Sequence, residues 1–112
     1  MNRNVLPIAW IARESGIAIG TAALRHCDLE GREDLTPWLG GVYVVPAHRR
    51  RGVASALCEV VTEKARSFAV PALYLCTVGR ESLYSRLGWK PFARQMWRNQ
   101  ECRIMVRWLQ NN

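Results

Sequence analysis

The sequence predicts an α/β (α+β) fold: a mixed, mostly antiparallel sheet built around one central βαβ unit. Three observations predict it. A β-branched run, Val42–Val45, passes through a short basic loop into an amphipathic stretch that only a helix accommodates. Pro71 stops that stretch, and the apolar run Ala72–Thr77 follows, so strand, helix and strand succeed one another at βαβ spacing and pair in parallel. On either side lie alternating apolar segments joined by short turn signals, which mark antiparallel hairpins.

Taken in order, residues 5–13 and 17–27 are β-prone segments separated by Glu14-Ser15-Gly16 and read as a hairpin. Residues 28–36 are polar and acidic and read as a loop, the one concentration of negative charge in a basic chain. Pro37–Val45 is the third strand. Its Gly40-Gly41 pair indicates a bulge or a close approach by another backbone, or else room made for Trp38 or Trp89. The helix spans about Arg51–Phe68, with Val53, Leu57, Val60, Val61, Ala65 and Phe68 recurring at three- and four-residue spacing. A short helix over Arg80–Leu87 ends at Gly88, the residue type favoured just past a helix terminus. Trp89–Trp97 and Cys102–Leu109 close the sheet as an antiparallel pair, with the turn at Arg98-Asn99-Gln100-Glu101.

Composition narrows the function. A chain of 112 residues with 49% hydrophobic residues suits one domain with a real core, here 1–112. Its net charge of +7 predicts an anionic ligand, either nucleic acid or a polyphosphate cofactor. The arginines are scattered except at 49–51, and no alternating aromatic–basic face is present, so a local anion site is favoured and nucleic acid is unlikely. The four cysteines, Cys27, Cys58, Cys76 and Cys102, form no C-x-x-C pair and with the two histidines give no zinc spacing. No metal site is expected, and a reducing cytoplasm is. Val5–Ala12 is too short for a membrane span and contains Pro7. The five tryptophans are read as core and interface anchors, which favours a homodimer.

The stretch Val42-Tyr-Val-Val-Pro-Ala-His-Arg-Arg-Arg-Gly-Val-Ala-Ser55 carries the chemistry. A strand that feeds a helix through a glycine-containing basic loop aims several backbone N–H groups at one point, and helix dipole and unpaired amides together favour a phosphate there. Neither G-x-x-x-x-G-K-[ST] nor G-x-G-x-x-G is present. Arg49-x-x-Gly52-x-Ala54 instead resembles the pyrophosphate loop of the GNAT superfamily of N-acetyltransferases, and Tyr84-x-x-x-Gly88-Trp89 resembles that family's second signature, in the expected order and on the expected elements. Asp34-Leu-Thr-Pro-Trp-Leu39 and Met105-Val-Arg-Trp-Leu109 are similar to a bacterial subgroup of unassigned substrate.

The resemblance implies a GNAT-like acyl-CoA N-acyltransferase fold in which the parallel strands splay apart. It also implies transfer of an acetyl group from acetyl-CoA to a primary amine of an unknown acceptor, small molecule or protein. The alternative is a non-catalytic acyl-CoA-binding module. By residue, it implies that Arg49, Arg50, Arg51, Gly52, Val53, Ala54 and Ser55 hold the diphosphate, that an N–H of Tyr43, Val44 or Val45 polarises the thioester carbonyl, and that Thr77 touches the pantetheine or closes the splay. Tyr84 is the expected acid for the departing thiolate. The base is sought in the acidic loop, at Asp34 ahead of Glu33 and Asp28, because Pro37–Val45 carries no carboxylate; the alternative is reaction through water with no dedicated base. The family's usual first strand and two helices have no recognisable counterpart, which leaves an open acceptor groove, one completed by a second subunit, or cofactor binding without turnover.

Overall fold

The computed structural model describes residues 5–109. Six strands form one sheet in the order β1-β2-β3-β4-β6-β5. They are β1 Ile8–Glu14, β2 Ile17–Arg25, β3 Trp38–Val44, β4 Ala72–Thr77, β5 Lys90–Trp97 and β6 Gln100–Trp108, with α1 Val53–Ser67 between β3 and β4 and α2 Glu81–Arg86 after β4. Every pairing is antiparallel except β3 with β4, as the strand–helix–strand pattern predicts.

Both hairpins close on two-residue turns with positive φ, the arrangement whose twist matches the flanking strands. Ser15 and Gly16 have φ of 52° and 81°, and Arg98 and Asn99 have 49° and 64°. The second turn is therefore shorter than the sequence suggested: Gln100 and Glu101 already pair with Trp97 and Met96.

α1 buries Leu57, Cys58, Val61, Thr62 and Ala65 against the sheet. Thr62 is accommodated because its hydroxyl donates to the Cys58 carbonyl one turn back, at 2.7 Å. Val60, read from sequence as part of the buried face, stays exposed, because the core stripe is centred one residue further round the helix. Arg107 on β6 fastens the helix through Glu59 at 2.6 Å.

The other sheet face has its own cover. The 28–36 segment is a loop as predicted, yet Leu29 and Leu35 are buried in it and pack on Trp38, Cys102 and Ile104. Two leucines thus turn a polar, acidic connection into the lid of a second small core.

β3 holds the feature that matters for function. Its register with β2 runs Thr21↔Tyr43 and then Ala23↔Gly40, so Gly41 and Val42 together face Ala22. This is a bulge, and Gly41 supplies the positive φ of 61°. β3 meets β4 at one register point, Trp38↔Tyr74, supported by Tyr74 N–H donating to the Pro37 carbonyl at 3.0 Å. Toward their carboxyl ends the two strands part.

Candidate acyl-carrier cleft

A cleft of about 730 Å³ opens where β3 and β4 diverge, between the loop entering α1 and the start of α2. After β3, the chain makes a single 3-10 turn at Pro46–His48 and reaches α1 through Gly52. Gly52 has φ of 82° and Arg50 has φ of 63°. Residues of alternating hand at a helix entry form a concave nest of N–H groups that suits an anion. The glycine also delays the helix, which starts at Val53 rather than at Arg51 as the sequence reading had it.

Among the described residues no side chain caps this helix. Its first intrahelical hydrogen bond runs from Ala56 N–H to the Gly52 carbonyl at 3.0 Å, so the N–H groups of Val53, Ala54 and Ser55 have no intrahelical acceptor. All three residues line the cleft with Gly52, Arg49, Arg50 and His48, and Arg80 and Arg86 face them from the α2 side. Free amides at the positive end of a helix, ringed by guanidinium groups, are an environment for phosphate oxygens.

The three loop arginines do different things. Arg49 Nε donates to the Val44 carbonyl at 2.8 Å, and its guanidinium lies over the Tyr43 ring, 5.5 Å from the centroid. Much of its role is to hold the end of β3. Arg50 lines the cleft. Arg51 turns away: it pairs with Glu14 at 3.3 Å and approaches His48 Nδ1 at 2.8 Å, tying the loop to the first hairpin. Three identical charges in a row look alike in the sequence, and only the long-range partner Glu14 singles out Arg51.

Hydrogen-bond alternation selects among the strand amides. Val45 N–H donates to the Ile19 carbonyl at 2.9 Å and is spent. That bond fixes Gly20↔Val44 as the non-hydrogen-bonded pair, so Tyr43 points its N–H at Thr21 on β2 while Val44 points its N–H away from β2, into the opening. Tyr43 and Val44 both line the cleft, but Val44 alone of the three expected residues has an N–H directed there.

Tyr84 lines the same cleft from α2. Gly88, with φ of 97°, reverses the chain after the helix, and Trp89 N–H returns to the Tyr84 carbonyl at 3.0 Å. The Tyr-x-x-x-Gly-aromatic spacing is thus the length of one helical turn plus a left-handed reversal. Burial, with a smaller contribution from the Cys58 thiol, pushes the Tyr84 phenol up to about 12.

Besides Arg51 and Val45, two further expected residues lie outside the cleft. Thr77 is buried at the end of β4, opposite Arg103 of β6, and does not line the cleft. Asp34 is outside the cleft as well: its carboxylate binds Arg32 at 3.1 Å in the loop covering the second core, and the Arg32 hydrogen bond holds it below the usual carboxylate range. No pairing brings it to the parted strands. The sequence could not show this, because nearness along the chain to β3 says nothing about which sheet face a loop crosses.

The glycine pair in β3 has a further partner. A Cβ at Gly40 would stand 2.8 Å from both carboxylate oxygens of Asp28, and one at Gly41 would stand 2.8 Å from Arg25 Nη2. The space therefore accommodates the Arg25–Asp28 ion pair rather than a tryptophan. Among the described residues no cluster of His, Cys, Asp or Glu is arranged to hold a metal, and no helix is long and apolar enough to cross a membrane.

Known proteins share this fold. An acetyltransferase from Bacillus cereus described as acting on IAA superposes with a TM-score of 0.74 at 15% identity, covering 92% of this chain and 78% of its own. A GNAT family acetyltransferase from Elizabethkingia anophelis, solved with acetyl-CoA bound, gives 0.75 at 16% identity, covering 96% and 79%. The ribosomal-protein-S18-alanine N-acetyltransferase of Escherichia coli gives 0.75 at 16% identity, covering 95% and 71%. At such identities the likeness is one of fold. No curated protein matches in sequence. A family model for the acetyltransferase (GNAT) family matches residues 3–89, most of the chain and both motif regions, and the chain belongs to that family.

Proposed function

We propose that this protein transfers an acetyl group from acetyl-CoA to a primary amine. The observation that carries this reading is the uncapped start of α1, whose free amides open onto a cleft shared with Arg49, Arg50, Arg80, Arg86 and Tyr84. Its volume of about 730 Å³ and its cationic rim fit a diphosphate-bearing carrier. Solved members of the same fold with acetyl-CoA bound support the same substrate.

In this reading the amides of Val53, Ala54 and Ser55 hold the diphosphate and Arg50 adds charge, while Arg49 fixes β3 through the Val44 carbonyl. The Val44 N–H then faces the thioester oxygen. Such a donor, preorganised where negative charge develops, contributes about 3–4 kcal/mol in comparable sites. The amine nitrogen forms the new C–N bond, the C–S bond breaks, and the amine proton lost equals the proton the thiol gains.

Tyr84 stabilises the leaving sulfur. With its phenol near 12, full proton transfer to a thiolate of ordinary pKa, about 8.5, would run uphill by roughly 5 kcal/mol. The hydroxyl therefore acts as a hydrogen-bond donor to the thiolate, which takes its proton from water.

Four unpaired cysteines support a reducing compartment such as the cytoplasm. Exposed Trp108, Met96 and Phe92 on the β5–β6 side support a second copy of the chain as a partner. Calorimetry with acetyl-CoA, followed by thiol release with an amine panel, tests the reading. Micromolar binding and amine-dependent release are expected. Binding without release from any amine would establish a carrier-binding module instead, and no binding would remove the assignment.

A further inference from the structure

The parting of β3 from β4 has two sides. On the α1 side it forms the cleft. On the other side it is roofed by Arg25 and Asp28, whose Nη1 and Oδ1 are 2.6 Å apart and whose side chains are 41% and 22% exposed. Trp38, which shares its β3 face with Gly40, packs in the second core, so the ion pair over Gly40 lies on the face away from α1. Across the opening, the Asp28 carboxylate is near enough to the Cys76 thiol of β4 to help raise it, behind burial and Cys102. Gly40, and the ion pair over it, lie two residues past Trp38↔Tyr74, the last register point between the strands, so the pair stands where β3 and β4 cease to pair. Among the described residues Oδ2 has no hydrogen-bond partner.

We propose that this ion pair receives the acceptor, and that the acceptor is the N-terminal α-amine of a peptide, with the amine on Asp28 and the neighbouring carbonyl oxygen on Arg25. The assignment rests on the acetyl-transfer reading above. Two arguments select the class. An acceptor bearing only a cation must break the pair and leave Arg25 uncompensated, whereas an amine with an oxygen acceptor beside it replaces both halves of the contact. The site is also poor in bases: β3 carries no carboxylate, and Asp28 is already engaged by a guanidinium. At pH 7 about a tenth of peptide α-amines are neutral, against roughly one alkylamine in two thousand, so an α-amine needs little help to attack. The neutral amine hydrogen-bonds to Asp28, forms the C–N bond through the opening, and loses its proton to water beside that carboxylate. The sulfur departs on the α1 side.

Thiol release from acetyl-CoA with the tripeptide Ser-Ala-Gly, free alanine and 1,5-diaminopentane tests this. The tripeptide should show a kcat/KM at least tenfold above the diamine. Asp28→Asn should lower the tripeptide kcat/KM at least tenfold, and Arg25→Met should abolish the preference over the diamine. Both should keep acetyl-CoA affinity within twofold. Gly40→Ala, which displaces the pair, should reproduce the Asp28→Asn loss and serves if that variant does not fold. A preference for the diamine, a preference for alanine over the tripeptide, or full tripeptide turnover by both Asp28→Asn and Gly40→Ala overturns the proposal while acetyl transfer stands. Loss of acetyl-CoA binding by the wild-type chain would instead sink the reading beneath it.

Discussion

Trp89 meets the buried Tyr84 ring edge-on, with centroids 6.1 Å apart and ring planes at 71°. The contact joins the two ends of the second signature and fixes where the phenol stands in the cleft. Tyr84→Phe keeps this packing and removes only the hydroxyl. A hydrogen bond to a charged group contributes about 1.5–3 kcal/mol, so kcat should fall roughly 10- to 100-fold with acetyl-CoA affinity unchanged. Because the phenol keeps its proton up to about 12, the variant should have the same pH–rate profile as the wild type from pH 7 to 10, only lower. A Phe variant with full kcat would exclude the role.

Trp89 itself makes a separate prediction. Among the described residues its indole N–H has no acceptor, so Trp89→Phe forfeits packing but no hydrogen bond seen there. The cost should stay near 1–2 kcal/mol, while Trp89→Ala should cost about 3–5 kcal/mol. Urea unfolding of both variants distinguishes them.

Arg50 and Arg51 are adjacent in sequence and opposed in direction. Arg50 lines the cleft, and Arg51 is occupied by Glu14 and His48. Arg50→Ala should weaken acetyl-CoA binding about 5- to 20-fold and reduce its salt dependence, as loss of a charge-assisted phosphate contact does. Arg51→Ala should change the affinity less than threefold. Calorimetry at two salt concentrations reads both.

What the sequence disclosed and what it withheld divide along physical lines. α1 was legible because it buries one face at the helical period, and Pro71 and Gly88 end their helices by local sterics. The anion loop was legible because a strand, a glycine and a helix start suffice to converge amides. The direction of Arg51, the N–H chosen on β3 and the purpose of Gly40 depend on Glu14, Ile19 and Asp28, partners from other strands or loops that no local pattern reveals. Leu29 and Leu35 were hidden in the same way, as isolated apolar residues in a charged loop. If that loop is a lid, Leu29→Ala should cost about 2–4 kcal/mol, whereas Asp34→Asn, at an exposed pair, should leave kcat within twofold. A fall in kcat for Asp34→Asn alone would return the base to that residue.

Burial also makes stability depend on alkaline pH. The Cys58 thiol, fully buried on the inner face of α1, is pushed up by desolvation from 9.0 to about 11, and Tyr84 from 10.0 to about 12. In each case the folded state holds its proton longer than the unfolded chain does. Their contribution is therefore complete below pH 9 and is lost as the pH climbs through 11 and 12, because the unfolded chain ionises first. Between pH 7.5 and 10.5 the two groups together should remove about 3 kcal/mol, Cys58 providing the larger part since its unfolded pKa is passed earlier. Urea midpoints should fall steadily over that range with m unchanged. Cys58→Ala should be less stable at pH 7.5 yet lose less on raising the pH, so that the two unfolding curves converge by pH 10.5. Parallel lines for the two proteins would show that the thiol is not shielded on the inner face of the helix.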